Sequence, residues 1–177
     1  MKLRKINAFA ILALSAVIGL TSCSKDDGAI PKRIGIEDVP VITTNLTKNN
    51  GTADTIFLSN QAAYQGSIKI GMYFPGQVEP TKIDIVVRKN ATASNVKVLQ
   101  AGVTTLPATV SVTAAQLVAL FGGTALASGD TYDVAPDIYV GDVKYQAFPL
   151  VGLGNGQGVT GMSTIGFGEY VRIRIRP

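Results

Sequence analysis

The sequence predicts an all-β sandwich of about seven to nine short strands, interrupted by one short helix. Three observations carry this expectation. Short runs of alternating apolar and polar residues recur along the chain, and clusters of Gly, Pro, Asn and Asp separate them. One stretch alone, residues 113–122, has helical spacing. Strands do not alternate with helices as a parallel α/β sheet requires, so two packed layers of strands are the simplest way to bury the apolar faces.

Taken in order, residues 34–44 and 55–59 are the weaker strands, separated by the polar Asn49-Asn50-Gly51. Residues 68–74 begin as an alternating strand that Pro75-Gly76 stops, and 83–88 form another, closed by Lys89-Asn90. Residues 96–99 and 109–112 are short strands. The helix follows: Thr113 is its N-cap, Gln116 completes a capping box, Leu117, Leu120 and Phe121 share one face, and Gly122-Gly123 end it. Such a helix would carry the chain from one sheet to the other. Residues 132–140 and 143–150 read as a long hairpin about the two-residue turn Gly141-Asp142. A period-two strand over 170–176 closes the domain.

Leu126, Gly129 and Tyr132 stand three residues apart. This spacing resembles the tyrosine corner at the entry to strand F of fibronectin type III and related immunoglobulin-like domains. The resemblance implies that the Tyr132 hydroxyl ties back to nearby backbone. Ser128 replaces the usual proline, and a Cys/Trp/Cys core of antibody type is absent. The expected fold is therefore an immunoglobulin/fibronectin III-like β-sandwich in the broad sense, with its short helix before strand F.

Ahead of this domain the sequence reads as an export and anchoring signal. Lys2, Arg4 and Lys5 form a positive head, and an almost wholly apolar run over 8–20 leads into small residues and Cys23. The run is too short to span a bilayer comfortably as a permanent helix. Leu20-Thr21-Ser22-Cys23 resembles a bacterial lipobox, which implies that residues 1–22 are cleaved and that the Cys23 sulfur takes a lipid. Each buried methylene of an acyl chain contributes about 0.8 kcal/mol, so a multiply acylated cysteine would hold the protein firmly to a membrane. Residues 23–33 then form a flexible tether, and 34–177 a single domain long enough for a proper core. Lys25, Asp26 and Asp27 resemble the lysine-plus-acidic export signal of Bacteroidetes-type lipoproteins, which implies the outer face of the outer membrane. A solvated linker on a periplasm-facing lipoprotein has a similar composition, so both orientations stay open.

Composition narrows the function. The formal charge of +4 comes largely from the leader: sixteen basic residues less its three leave thirteen, against twelve acidic ones. Near-neutrality gives no case for nucleic-acid binding. The chain has no histidine and one cysteine, which excludes Ser-His-Asp and Cys-His catalysis, histidine-ligated metals and an internal disulfide. No cofactor is expected. Asp130, Asp133 and Asp137 are the densest acidic group. On a strand 133 and 137 share a face that 130 does not, so they read as solvated turn and edge residues rather than a glycosidase pair. A calcium site at Asp130 lacks any known calcium-loop spacing.

The candidate contact residues are Tyr139, Tyr145, Asn155, Gln157, Arg172, Arg174 and Arg176. Tyr139 and Tyr145 flank the presumed turn and would pair across the hairpin, either as packing or as a sugar platform. Asn155 and Gln157 lie in the glycine-rich run 152–158. No helix follows to make that run a phosphate cradle, so it reads as a loop able to shape itself to a sugar or a partner. Arg172, Arg174 and Arg176 form a stripe with about 7 Å between successive side chains. They either contact anionic sugar or lipopolysaccharide phosphates, or are charge placed on the solvent face, which also protects a sheet edge from pairing. Asp54-Thr55-Ile56 resembles the O-glycosylation motif of the same bacterial group, making Thr55 a candidate modification site.

The helix "V-T-A-A-Q-L", the strand "G-D-T-Y-D-V" and the lipidated amino terminus together resemble small Bacteroidetes surface lipoproteins. They are similar in particular to the amino-terminal immunoglobulin-like domains of SusE-type starch-utilisation lipoproteins. The resemblance spans residues 109–145 and implies a non-catalytic accessory or binding module beside an outer-membrane glycan importer. Its partners would be the membrane through the lipid, a transporter complex or a glycan. A structural or adhesive lipoprotein with protein partners is the alternative; an enzyme is disfavoured. The resemblance hands over no ligand residues.

Overall fold

The computed structural model describes residues 39–151 and 168–177, and these form a two-sheet β-sandwich with one short α-helix. The strands are β1 (Ile42–Leu46), β2 (Ala53–Phe57), β3 (Gln65–Met72), β4 (Lys82–Lys89), β5 (Val96–Val103), β6 (Ala108–Thr113), β7 (Thr131–Val140), β8 (Val143–Tyr145) and β9 (Val171–Arg176). The small sheet has the order β1-β3-β6. The large one has the order β2-β9-β7-β4-β5, with β8 against β7. All pairings are antiparallel except that of β2 with β9.

This strand order is that of an immunoglobulin-like sandwich. β1, β3 and β6 correspond to strands A, B and E, and β9, β7 and β4 to G, F and C, with β5 extending the latter sheet. The first strand is shared between the layers: β1 joins the small sheet, and β2 crosses to the large one.

Period two explains the core. Ile68 and Ile70 of β3 and Val110 and Val112 of β6 point inward from the small sheet. They meet Ile83, Ile85 and Val87 of β4, Tyr132 and Val134 of β7 and Ile173 and Ile175 of β9. Most of these side chains are fully buried, and burying each stabilises the fold by about 1.5–3 kcal/mol.

The helix α1 (Ala114–Leu120) forms as its sequence requires. The Thr113 hydroxyl accepts from the Gln116 N–H at 3.2 Å, and the Gln116 side chain accepts from the Thr113 N–H at 2.8 Å. Leu117 is buried, Leu120 and Phe121 pack against the core, and Gly122 and Gly123 turn the chain out at φ 79° and 80°. The helix does connect the two sheets, from β6 to β7.

Several expectations need correction. β5 runs to Val103, well past residue 99, because its pairing with β4 continues through a register shift. The first expected strand is realised only as β1, with its opening residues outside the described part. The second hairpin arm stops at Tyr145, because the Ala147 N–H turns to the Asp137 carboxylate instead of extending the ladder. At the expected tyrosine corner, the fully buried Tyr132 packs against Phe121 and carries the Lys89 ammonium 5.5 Å from its ring centre, and among the described residues its hydroxyl makes no bond to backbone.

Candidate functional site

Most of the sequence-derived contact residues lie on the outer face of the large sheet, opposite the core. Pairing of β4 with β7 and of β7 with β9 sets Arg88, Asp133 and Arg172 side by side across three strands. Asp133 is fully buried between the two guanidinium groups. Arg88 Nη2 donates to its Oδ2 at 2.9 Å, while Arg172 Nε donates to Oδ1 at 2.7 Å and Nη2 to Oδ2 at 3.1 Å. The bond to Asp133 raises the Arg172 pKa above its ordinary value. Phe148 lies under the Arg88 guanidinium at 4.1 Å, and Tyr170 lies beside Arg172.

A second network sits further along the same face. The Tyr139 hydroxyl donates to Asp84 Oδ2 at 2.9 Å, and the Gly102 N–H donates to Oδ1 at 2.7 Å. Burial alone would push the Asp84 carboxyl up. These two bonds, with the Lys82 and Lys144 charges, outweigh it and hold the group below the usual carboxylate range. Lys82 also lies 4.3 Å from the centre of the Tyr139 ring. Asp137 accepts from the Ala147 N–H and from Lys144 Nζ, both at 2.8 Å, and this bond raises the Lys144 pKa. Asp133 and Asp137 are therefore buried and internally bonded, not solvated turn or edge residues. Asp130 bonds Lys89 and Asn90 at 2.8 and 2.9 Å.

These networks divide the candidates. Tyr139 and Arg172 are committed to internal partners. Tyr145 stands opposite Ile138 and packs against the core, while Tyr139 stands opposite Lys144. The two tyrosines thus lie on opposite faces and do not pair. The turn explains this: Val140 pairs with Val143, so residues 139 and 145 are out of step by one, which reverses the face. The edge-protection part of the arginine reading fails, because β9 lies between β2 and β7, whereas the solvent-face part holds for the exposed Arg174 and Arg176.

Arg174 and Arg176 remain. Both are exposed and have no partner among the described residues. The parallel register aligns Arg174 with Thr55 and Arg176 with Phe57, on the face opposite Ile56, Ile173 and Ile175. Phe57 is 56% exposed. Two guanidinium groups, a phenyl ring and a hydroxyl therefore share one corner of the large sheet. Sequence reasoning missed Phe57. Alternation within β2 puts it on the face of Thr55, but nothing in the local pattern identifies β9 as the neighbour.

Asp54, beside the candidate modification site Thr55, accepts from Lys48 at 2.7 Å and from the Tyr64 hydroxyl at 3.1 Å. Burial and the Asp54 charge both push the Tyr64 pKa up. Among the described residues, no group of three or more acidic or cysteine side chains could hold a metal ion. Cys23, Lys25, Asp26, Asp27, Asn155 and Gln157 lie outside the described residues. Comparison of the chain with protein-family models, curated proteins and solved structures finds no match.

Proposed function

We propose that this chain is a non-catalytic lipoprotein of the outer-membrane surface, a binding or accessory module of a polysaccharide-uptake system, and that it meets anionic sugar at the corner formed by Thr55, Phe57, Arg174 and Arg176. The observation that carries the reading is the pair of arginines, without a partner among the described residues, beside an exposed aromatic ring. Guanidinium groups bond carboxylate and phosphate bidentately, and a ring offers a sugar an apolar face to rest on. The internal bonding of Asp84, Asp133 and Asp137 supports a binding role over a catalytic one, since a general acid or base must reach its substrate. The lipobox supplies the membrane anchor in this reading, and Lys25-Asp26-Asp27 the export to the cell exterior.

Retention of the full chain on immobilised polysaccharides tests the proposal. Acidic polymers should retain it more strongly than neutral ones, and salt should weaken the retention. Changing Arg174 and Arg176 together to Ala should weaken it about tenfold or more, the equivalent of one charged hydrogen bond. Equal retention of the parent and the double variant would overturn the assignment. The alternative of a structural or adhesive lipoprotein draws on the position of β2 at the end of its sheet, where its free edge can pair with a partner strand. Under that reading a protein complex forms and no glycan is retained.

A further inference from the structure

A separate cleft of about 390 Å³ opens on the outer face of the small sheet. Its volume lies near the lower end of the range typical of small-ligand sites. Thr43 and Asn45 of β1 and Lys69 and Gly71 of β3 contribute to it, along with the connections before β4 and β6. Gly71 keeps one wall low: a Cβ there would meet Pro107 Cβ at 3.6 Å, an ordinary contact, and anything larger would grow into the space.

The chemistry of the lining is specific. The Thr43 hydroxyl donates to the Gly71 carbonyl at 3.1 Å. The Asn45 amide donates to the Asn50 carbonyl at 2.8 Å and accepts from the Gly168 N–H at 3.3 Å. These neutral groups are already committed. Lys69 and Glu79 are not: both border the cleft, and neither has a partner among the described residues, including each other. Met72, Leu106 and Pro107 supply apolar walls, and no aromatic ring lines the space among the described residues.

We infer that this cleft binds a small zwitterion with an aliphatic body, an α-amino acid or short apolar peptide, its carboxylate toward Lys69 and its ammonium toward Glu79. Opposite charges on one cleft cancel at a distance, so the site does not concentrate a purely anionic or cationic ligand. Up close they favour one that carries both signs. The aliphatic walls then cover the ligand's side chain. A sugar would draw instead on uncommitted neutral donors and acceptors and a stacking ring. This site is independent of the arginine corner, which lies on the other sheet.

Calorimetric titration of the full chain with leucyl-leucine tests the inference. Saturable binding is expected. N-acetylation or C-terminal amidation of the peptide should each weaken it about tenfold, the loss of one charged hydrogen bond. Glu79→Gln should weaken the parent peptide equally but leave the acetylated one unaffected, and Lys69→Met should do the same toward the amide. Gly71→Val should abolish binding by filling the cleft. Thermal melts establish that each variant folds, and the two exposed charge changes keep the test decisive should Gly71→Val fail to fold. Changing Arg174 and Arg176 to Ala should leave peptide binding untouched, which separates this site from the polysaccharide one. Absence of saturation, binding indifferent to both charge changes, or preference for maltose or phosphoethanolamine over the dipeptide would overturn the inference.

Discussion

Asp133 occupies the centre of the polar network on the large sheet, fully buried and bonded by both Arg88 and Arg172. Removing the carboxylate charge would leave two guanidinium groups facing each other over a poorly solvated site. Asp133→Asn should therefore lower the unfolding free energy by about 3–5 kcal/mol, the range for a broken buried ion pair, as read from urea denaturation. Asp84 and Asp130 give the pH dependence. Both carboxyls are held below their ordinary range despite burial, Asp84 by Gly102 and Tyr139 above all and Asp130 by Lys89 and Asn90. An unfolded carboxyl titrates near about 3.9, so their stabilisation is complete above that pH and is lost as the pH falls through the lower native values. Denaturation midpoints measured between about pH 2 and pH 6 should fall on acidification, and Asp84→Asn should flatten part of that fall. Glu169 acts in the opposite sense. Burial pushes its carboxyl up to about 7, so its contribution declines as the pH rises from the unfolded value toward neutrality.

Among the elements, α1 was the most legible from sequence, because its cap, apolar face and stop all fall within the eleven residues from Thr113 to Gly123. Thr113→Ala removes the hydroxyl that accepts from the Gln116 N–H. It should cost about 0.5–2 kcal/mol in chemical denaturation, the range for a lost N-cap. The strands were legible where one face is apolar and the other polar, as in β4 and β9. Local pattern failed where a side chain captured the backbone. β8 ends early because Asp137 takes the Ala147 N–H, a contact spanning ten residues that alternation alone does not encode. The misplaced tyrosine pair was different in kind. The turn at Gly141-Asp142, with Gly141 at φ 58°, was readable, and counting outward from it already sets Tyr139 and Tyr145 on opposite faces. The arginine corner divided the other way. Arg174 and Arg176 stood out in the sequence, but the commitment of Arg172 to Asp133 and the exposed Phe57 depend on which distant strands flank β9.

At the scale of the whole molecule, the proposed role joins a folded domain to a lipid on Cys23. Cys23→Ser should move the exported protein from the membrane fraction to the soluble one with its fold unchanged, as followed by cell fractionation and circular dichroism. The crossing of the first strand between sheets also matters at this scale. β2 pairs with β9 in parallel over five aligned positions, from Ala53 with Arg172 to Phe57 with Arg176. Tension applied to the two ends of the chain pulls these strands in opposite directions along their length. Their hydrogen bonds lie across that line and must fail together, whereas a peeled hairpin loses them one at a time. In single-molecule stretching the domain should give one abrupt rupture rather than a stepwise unzipping. A tethered domain gripping a polymer at the arginine corner would thus meet drag with a pair of strands loaded in shear rather than peeled.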